Sequence, residues 1–215
     1  MKILIIGSKG QLEEAKRKLG PKHTYQFSSD SKSVERHINE SDAVFDFVMA
    51  DPDRARLYSH RPSTIVFLNT SYVTLSKLAI HTPGTLFGFC GMPTFFDREI
   101  LEVTLQKEED RPVLKKLCDE LKTGYQIVSD RVGLVTPRVI CMIINEAYYT
   151  VEEGTATRED VDMAMKLGTN YPFGPFEWCE RIGSKNVCGL LDAVYEDTKD
   201  ERYSICRLLR DESTV

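Results

Sequence analysis

Short apolar runs alternate with charged, helix-periodic stretches along the first part of the chain. Lys2–Ile6 reads as a buried strand and Gln11–Leu19 as a helix with Leu12, Ala15 and Leu19 on one face. Further strands are predicted at Thr24–Phe27, Ala43–Val48, Ser63–Leu68, Thr85–Phe89, Leu101–Leu105 and Gln126–Val128. Asp51 and Asp53 around Pro52 mark a helix start. Helices are also predicted near Leu75–Ile80 and at Arg111–Leu121, the second behind a solvated acidic start, Glu108-Glu109-Asp110. Strands alternating with helices predict a mostly parallel α/β sheet.

Beyond about residue 132 the pattern becomes wholly helical. Thr136-Pro137-Arg138 reads as a helix opening, with Thr136 as the cap and proline in the first helical position. The run to Glu153 is apolar on most sides, which suits a buried helix, and Gly154 ends it. Thr157-Arg158-Glu159-Asp160 forms an imperfectly spaced capping box opening Val161–Leu167. Gly168, Pro172, Gly174 and Pro175 punctuate the chain before helices at Phe176–Ile182 and Lys185–Tyr195. The expected organisation is an α/β domain over 1–131 and an all-α domain over 132–215.

Composition narrows the function classes. The chain has 215 residues, 41% of them hydrophobic, enough for a real core. The net charge is −5 and no block of Lys and Arg stands out, which argues against a nucleic-acid partner. Apolar runs such as Val139–Ile144 reach six residues, far short of a bilayer span, and the apolar start Ile3–Ile6 is too short for a signal-peptide core. Six scattered cysteines, with no C-x-x-C pair and no zinc spacing, read as free thiols of a reducing compartment. A cytoplasmic protein without a metal site is therefore expected.

The opening turn, Gly7-Ser8-Lys9-Gly10-Gln11-Leu12-Glu13, suggests a dinucleotide fold with a damaged fingerprint. In G-x-G-x-x-G the glycines provide the turn, the close approach of a pyrophosphate, and helix–strand packing. Gly7 and Gly10 are the candidate cofactor contacts, but the second glycine is displaced by one and the third is missing. Glu13 and Glu14, taken as part of the first helical turn, would oppose a phosphate there. A bare strand-to-helix turn with nothing bound is the alternative.

The helical part carries the more specific pattern. Asn145-Glu146-Ala147, Glu153-Gly154, Glu159-Asp160-Val161-Asp162, Ala164-Met165, Gly168 and Tyr171-Pro172-Phe173-Gly174-Pro175-Phe176-Glu177 occur in this order. This arrangement resembles the C-terminal domain of the 3-hydroxyacyl-CoA dehydrogenase family. The likeness extends backwards through Arg138, Gly133, Glu102-Val103 and Asn69-Thr70-Ser71, and is strongest over about residues 63–180. It implies an α/β plus all-α fold: a truncated Rossmann-type parallel sheet domain followed by a helical domain that forms a homodimer and closes over an acyl-CoA-type substrate. It also implies NAD as cofactor, with the adenosine ribose held at Asp30 or, if the strand ends align differently, at Ser29.

In that family a histidine takes the proton of the 3-hydroxyl while hydride passes to NAD; a glutamate supports the imidazole, and a serine and an asparagine position the groups. By resemblance Glu102 is the glutamate and Ser71 the serine. The histidine position, twelve residues before Glu102, holds Cys90, and the family's His-Phe-Phe-Asn-Pro becomes Cys90-Gly91-Met92-Pro93-Thr94. The asparagine position, one before Arg138, holds Pro137, which has no side-chain amide. A thiol beside a carboxylate is a poor substitute for imidazole. His81 reaches the site only if its loop folds over it, and is otherwise a surface residue; His23, His37 and His60 are assigned no role. Phe87, Phe89, Phe95 and Phe96 read as core before acyl pocket, and Trp178 beside Cys179 as helix packing. Two functions follow: an NAD-dependent 3-hydroxyacyl-CoA dehydrogenase of fatty-acid metabolism, or an inactive member that binds a nucleotide or acyl-CoA, or serves a structural role.

Overall fold

Strands β1 (Lys2–Ile6), β2 (Thr24–Ser28), β3 (Ala43–Met49), β4 (Ile65–Asn69), β5 (Thr85–Phe89), β6 (Ile100–Leu105) and β7 (Gly124–Ile127) form one sheet in the order β2-β1-β3-β4-β5-β6-β7. The computed structural model describes residues 1–29, 37–59, 64–78 and 84–214. All neighbouring strands are parallel except β5 and β6, which run antiparallel. The chain divides into two units, Met1–Leu134 and Val135–Val215.

Alternation within the strands decides what each face of the sheet packs. Ile3, Ile5, Phe45, Phe67, Phe87, Phe89, Leu101 and Val103 point to one side, where they meet Ala15 and Leu19 of α1 (Lys9–Leu19) and Leu114, Leu117 and Leu121 of α3 (Arg111–Leu121). Phe45 stacks on Phe67 at 4.5 Å, while Phe87, Phe89 and Phe96 join the same aromatic cluster, so these three are core. The opposite face sets Leu4, Ile6, Val44, Val66, Leu68 and Leu86 against Ala55 of α2 (Pro52–Arg56), Tyr58, Leu75 and Leu78. Asp46, in the middle of β3, is wholly buried there. Arg54 grips both its oxygens (2.7 and 2.9 Å), Tyr58 donates at 2.6 Å, and Val48 N–H at 3.1 Å. Asp51 caps α2, as its position before Pro52 predicts.

Several local expectations need correction. Helix α1 begins at Lys9, because Ser8 caps it, so Gly10 lies inside the first turn and Glu13 and Glu14 fall in the second. The helix expected at Leu75–Ile80 is, over its described part, a single 3-10 turn, Ser76–Leu78. Its start is held by Asp130, whose two oxygens accept from the N–H groups of Leu75 and Ser76.

In the second unit, α4 (Thr136–Glu152) is followed by α5 (Arg158–Thr169), α6 (Pro175–Ile182), α7 (Ser184–Thr198) and α8 (Arg207–Glu212). Thr136 is already helical, so the cap position falls to Val135, which has no capping side chain. Thr157 does cap α5, accepting from Asp160 N–H, so that helix starts at Arg158 and not at Val161. No helix among the described residues is long and apolar enough to cross a membrane.

Candidate active site

The carboxyl ends of β1, β3, β4 and β5 share one edge of the sheet, the place where open α/β sheets bind ligands. Ser71 follows β4 and Cys90 follows β5 directly. β6 runs the other way, so its early residues lie at the same edge. One step beyond the Phe89–Val103 pair, the register sets Glu102 opposite Cys90. The three residues singled out as catalytic candidates are thus brought together by strand direction.

Asn69 organises this corner. Its Oδ1 accepts from Ser71 Oγ (2.6 Å), Ser71 N–H (3.2 Å) and Gly91 N–H (3.0 Å), and its Nδ2 donates to Phe47 O at 2.9 Å. One buried side chain so joins the ends of β3, β4 and β5. Ser71 Oγ also lies 3.3 Å from Cys90 Sγ. A hydroxyl has one proton, so Ser71 Oγ gives it either to Asn69 Oδ1 or to Cys90 Sγ, not to both at once. Asn69 entered the sequence reading only as part of a motif, because nothing in its spacing signals four hydrogen bonds. Gly91 must be small for the same reason: a Cβ there would sit 2.7 Å from the Asn69 amide carbon.

Burial pushes the Cys90 thiol up to about 12. Hydrogen bonds from Ser71 and from Met92 N–H pull the other way, while the carboxylates of Glu102 and Glu14 add to the rise. The result is a neutral thiol throughout the physiological range. On the same face, the hydroxyls of Thr70 and Thr104 crowd Gly88, where a Cβ would lie 2.5 and 2.3 Å from them. Both are buried and, among the described residues, without a hydrogen-bond partner.

Of the other candidates, Asp30 and His81 lie outside the described residues. His23 and His37 sit just before β2 and β3, at the opposite edge from Cys90. Pro137 lies in the first turn of α4, where it offers no side-chain donor or acceptor.

At the carboxyl end of β1, Gly7 has φ of 152° and gives its N–H to Ser28 O at 3.0 Å. Ser8 and Gln11 cap one another: Ser8 N–H donates to Gln11 Oε1 (2.8 Å) and Gln11 N–H to Ser8 Oγ (3.2 Å). A Cβ on Gly7 would meet Gln11 Oε1 at 2.3 Å, so this side chain covers the glycine. A Cβ on Gly10 would meet only Ser8 Oγ, at 3.7 Å, so no close approach explains that glycine. The residues present do not fit a pyrophosphate: the room above the turn and two of its N–H groups are already used.

The signature Tyr171–Glu177 proves to be a capping device. Asp162 of α5 accepts from Phe176 N–H (2.8 Å) and Glu177 N–H (3.2 Å) at the start of α6. Glu177 returns to Gly174 N–H at 3.1 Å and pairs with Lys166. A Cβ on Gly174 would fall 2.2 Å from the Asp162 carboxyl. Glycine is required there, and the motif's job is to join two helices.

An α/β sheet with its polar cluster at the carboxyl edge, followed by a helical unit, defines the chain as a Rossmann-type protein with a helical C-terminal domain. A family described as "3-hydroxyacyl-CoA dehydrogenase, C-terminal domain" matches residues 133–212. The chain is 39% identical over 100 residues to 3-hydroxyadipyl-CoA dehydrogenase of Escherichia coli, covering 46% of this chain and 21% of that protein. It is 32% identical over 154 residues to the Bacillus subtilis protein named "Probable 3-hydroxybutyryl-CoA dehydrogenase", covering 69% and 54%. The fold is shared with FadB2 of M. tuberculosis, at TM-score 0.77 and 20% identity, over 97% of this chain and 92% of that one. This chain belongs to the 3-hydroxyacyl-CoA dehydrogenase family, and spans about half the length, or less, of the first two relatives.

Proposed function

We propose that this chain is a family member that binds an acyl-CoA-type ligand of fatty-acid metabolism without oxidising it. The observation that carries the reading is the state of Cys90. Oxidising a 3-hydroxyl requires a group that accepts its proton near neutral pH, and such groups contribute about 10²–10⁴-fold to rate. Cys90 stands at the histidine position of the family pattern, and with its thiol pushed up to about 12 it holds its own proton instead of taking another. Ser71, Asn69 and Glu102 remain as a polar corner suited to holding an oxygen-bearing ligand.

The relatives' names supply the ligand class, since both names specify a 3-hydroxyacyl-CoA, 3-hydroxyadipyl-CoA in one and 3-hydroxybutyryl-CoA in the other. A homodimer through the helical unit forms part of the proposal, supported by the exposed apolar side chains Val135, Val139, Met163 and Leu167. Placement in the cytoplasm rests on six free, buried cysteines. The test mixes the purified chain with NAD and 3-hydroxybutyryl-CoA. No reduced nicotinamide should form, while 3-hydroxybutyryl-CoA by itself should raise the melting temperature. Steady turnover would overturn the reading, and so would a ligand that shifts nothing.

A further inference from the structure

Position 11 distinguishes this opening turn from one that takes a dinucleotide. A pyrophosphate at a strand–turn–helix junction needs glycines that let it approach, uncommitted N–H groups at the helix start, and space above the turn. The first requirement is met only at Gly7, because Lys9 and Leu12 stand where the second and third glycines belong. The second is met in part. Gly7 N–H goes to Ser28 O, Ser8 N–H to Gln11 Oε1, Gln11 N–H to Ser8 Oγ and Leu12 N–H to Ser8 O. As for space, Gln11 Oε1 lies 2.3 Å from where a Cβ at position 7 would be, so it fills the room directly above the glycine.

The other end of the same amide reaches across the turn. Gln11 Nε2 donates to Gly91 O at 3.2 Å, in the corner that follows Cys90. An oxygen that accepts from the turn's N–H, carried on a group that also bridges to the next loop, does what a bound phosphate would do. It does so from within the chain. We infer that Gln11 is a built-in substitute for the cofactor's pyrophosphate, closing this turn to NAD and tying α1 to the Cys90–Gly91 corner.

This inference is independent of the proposed loss of proton transfer, because it concerns binding, measured without acyl-CoA. Full-length wild type, Gln11→Gly and Gln11→Ala are titrated with NAD and with adenosine diphosphate ribose by calorimetry; circular dichroism checks the fold. Wild type should show no saturable binding up to about 1 mM. The variants should bind at least about ten-fold more tightly, melt at a lower temperature by themselves, and regain that temperature when NAD is added. Micromolar binding by wild type would overturn the inference. Folded variants that bind no better than wild type would overturn it equally, since Gln11 would then not be what closes the turn.

Discussion

A thiol that stays protonated alters both the chemistry of its corner and the response of the fold to alkali. Cys90 is buried, and its folded pKa of about 12 lies above the unfolded value of 9.0. Between those values the folded state keeps a proton that the unfolded state has lost, so stability is intact below the unfolded pKa and falls as pH rises through the window. The slope from this one group is about 1.4 kcal/mol per pH unit. Urea unfolding of wild type and Cys90→Ala at a series of alkaline pH values should show the variant losing stability less steeply. Parallel curves would mean that the thiol ionises equally in both states. Cys118 and Cys179, both pushed up to about 11 by burial, steepen the wild-type curve in the same sense and cancel in the comparison.

Between elements, one ion pair and one helix cap tie neighbouring segments together. Asp46 in β3 holds α2 through Arg54, an ion pair whose partners are almost wholly buried. Breaking such a pair from one side leaves a stranded charge. Asp162 holds the start of α6, and Gly174 makes room for it. Asp162→Ala should cost about 1–2 kcal/mol, in the range of a lost helix cap. Gly174→Ala should cost a similar amount, about 1–3 kcal/mol, by forcing the same carboxylate away from its two N–H donors. The double variant should then be scarcely worse than Asp162→Ala, because both changes remove one contact; thermal or urea unfolding reads this directly. Additive losses would mean that the glycine serves another purpose.

For the molecule as a whole, assembly is the open property that the surface addresses. Leu167 is 81% exposed and Met163 57%, one helical turn apart on α5; Val135 and Val139 repeat the spacing at the start of α4. Leu167→Glu should convert a dimer to a monomer in sedimentation velocity while leaving the melting temperature of the monomer unit unchanged. A wild type that sediments as a monomer at about 50 μM would remove the dimer from the proposal.

Strand and helix positions were readable from the chain because burial imposes periods of about two and 3.6 residues, and those periods survive in the order of residues. The change from α/β to all-α was readable for the same reason, and so was a glycine pattern that departs from G-x-G-x-x-G: each is a statement about which residue stands where. Asn69 as the hub, Glu102 set opposite Cys90, and Gln11 laid over Gly7 were not. These depend on strand direction and side-chain reach, which bring together residues 80 positions apart, such as Gln11 and Gly91. The protonation of Cys90 belongs with them. A thiol's basicity is set by how much water and charge surround it, and only the packed chain decides that.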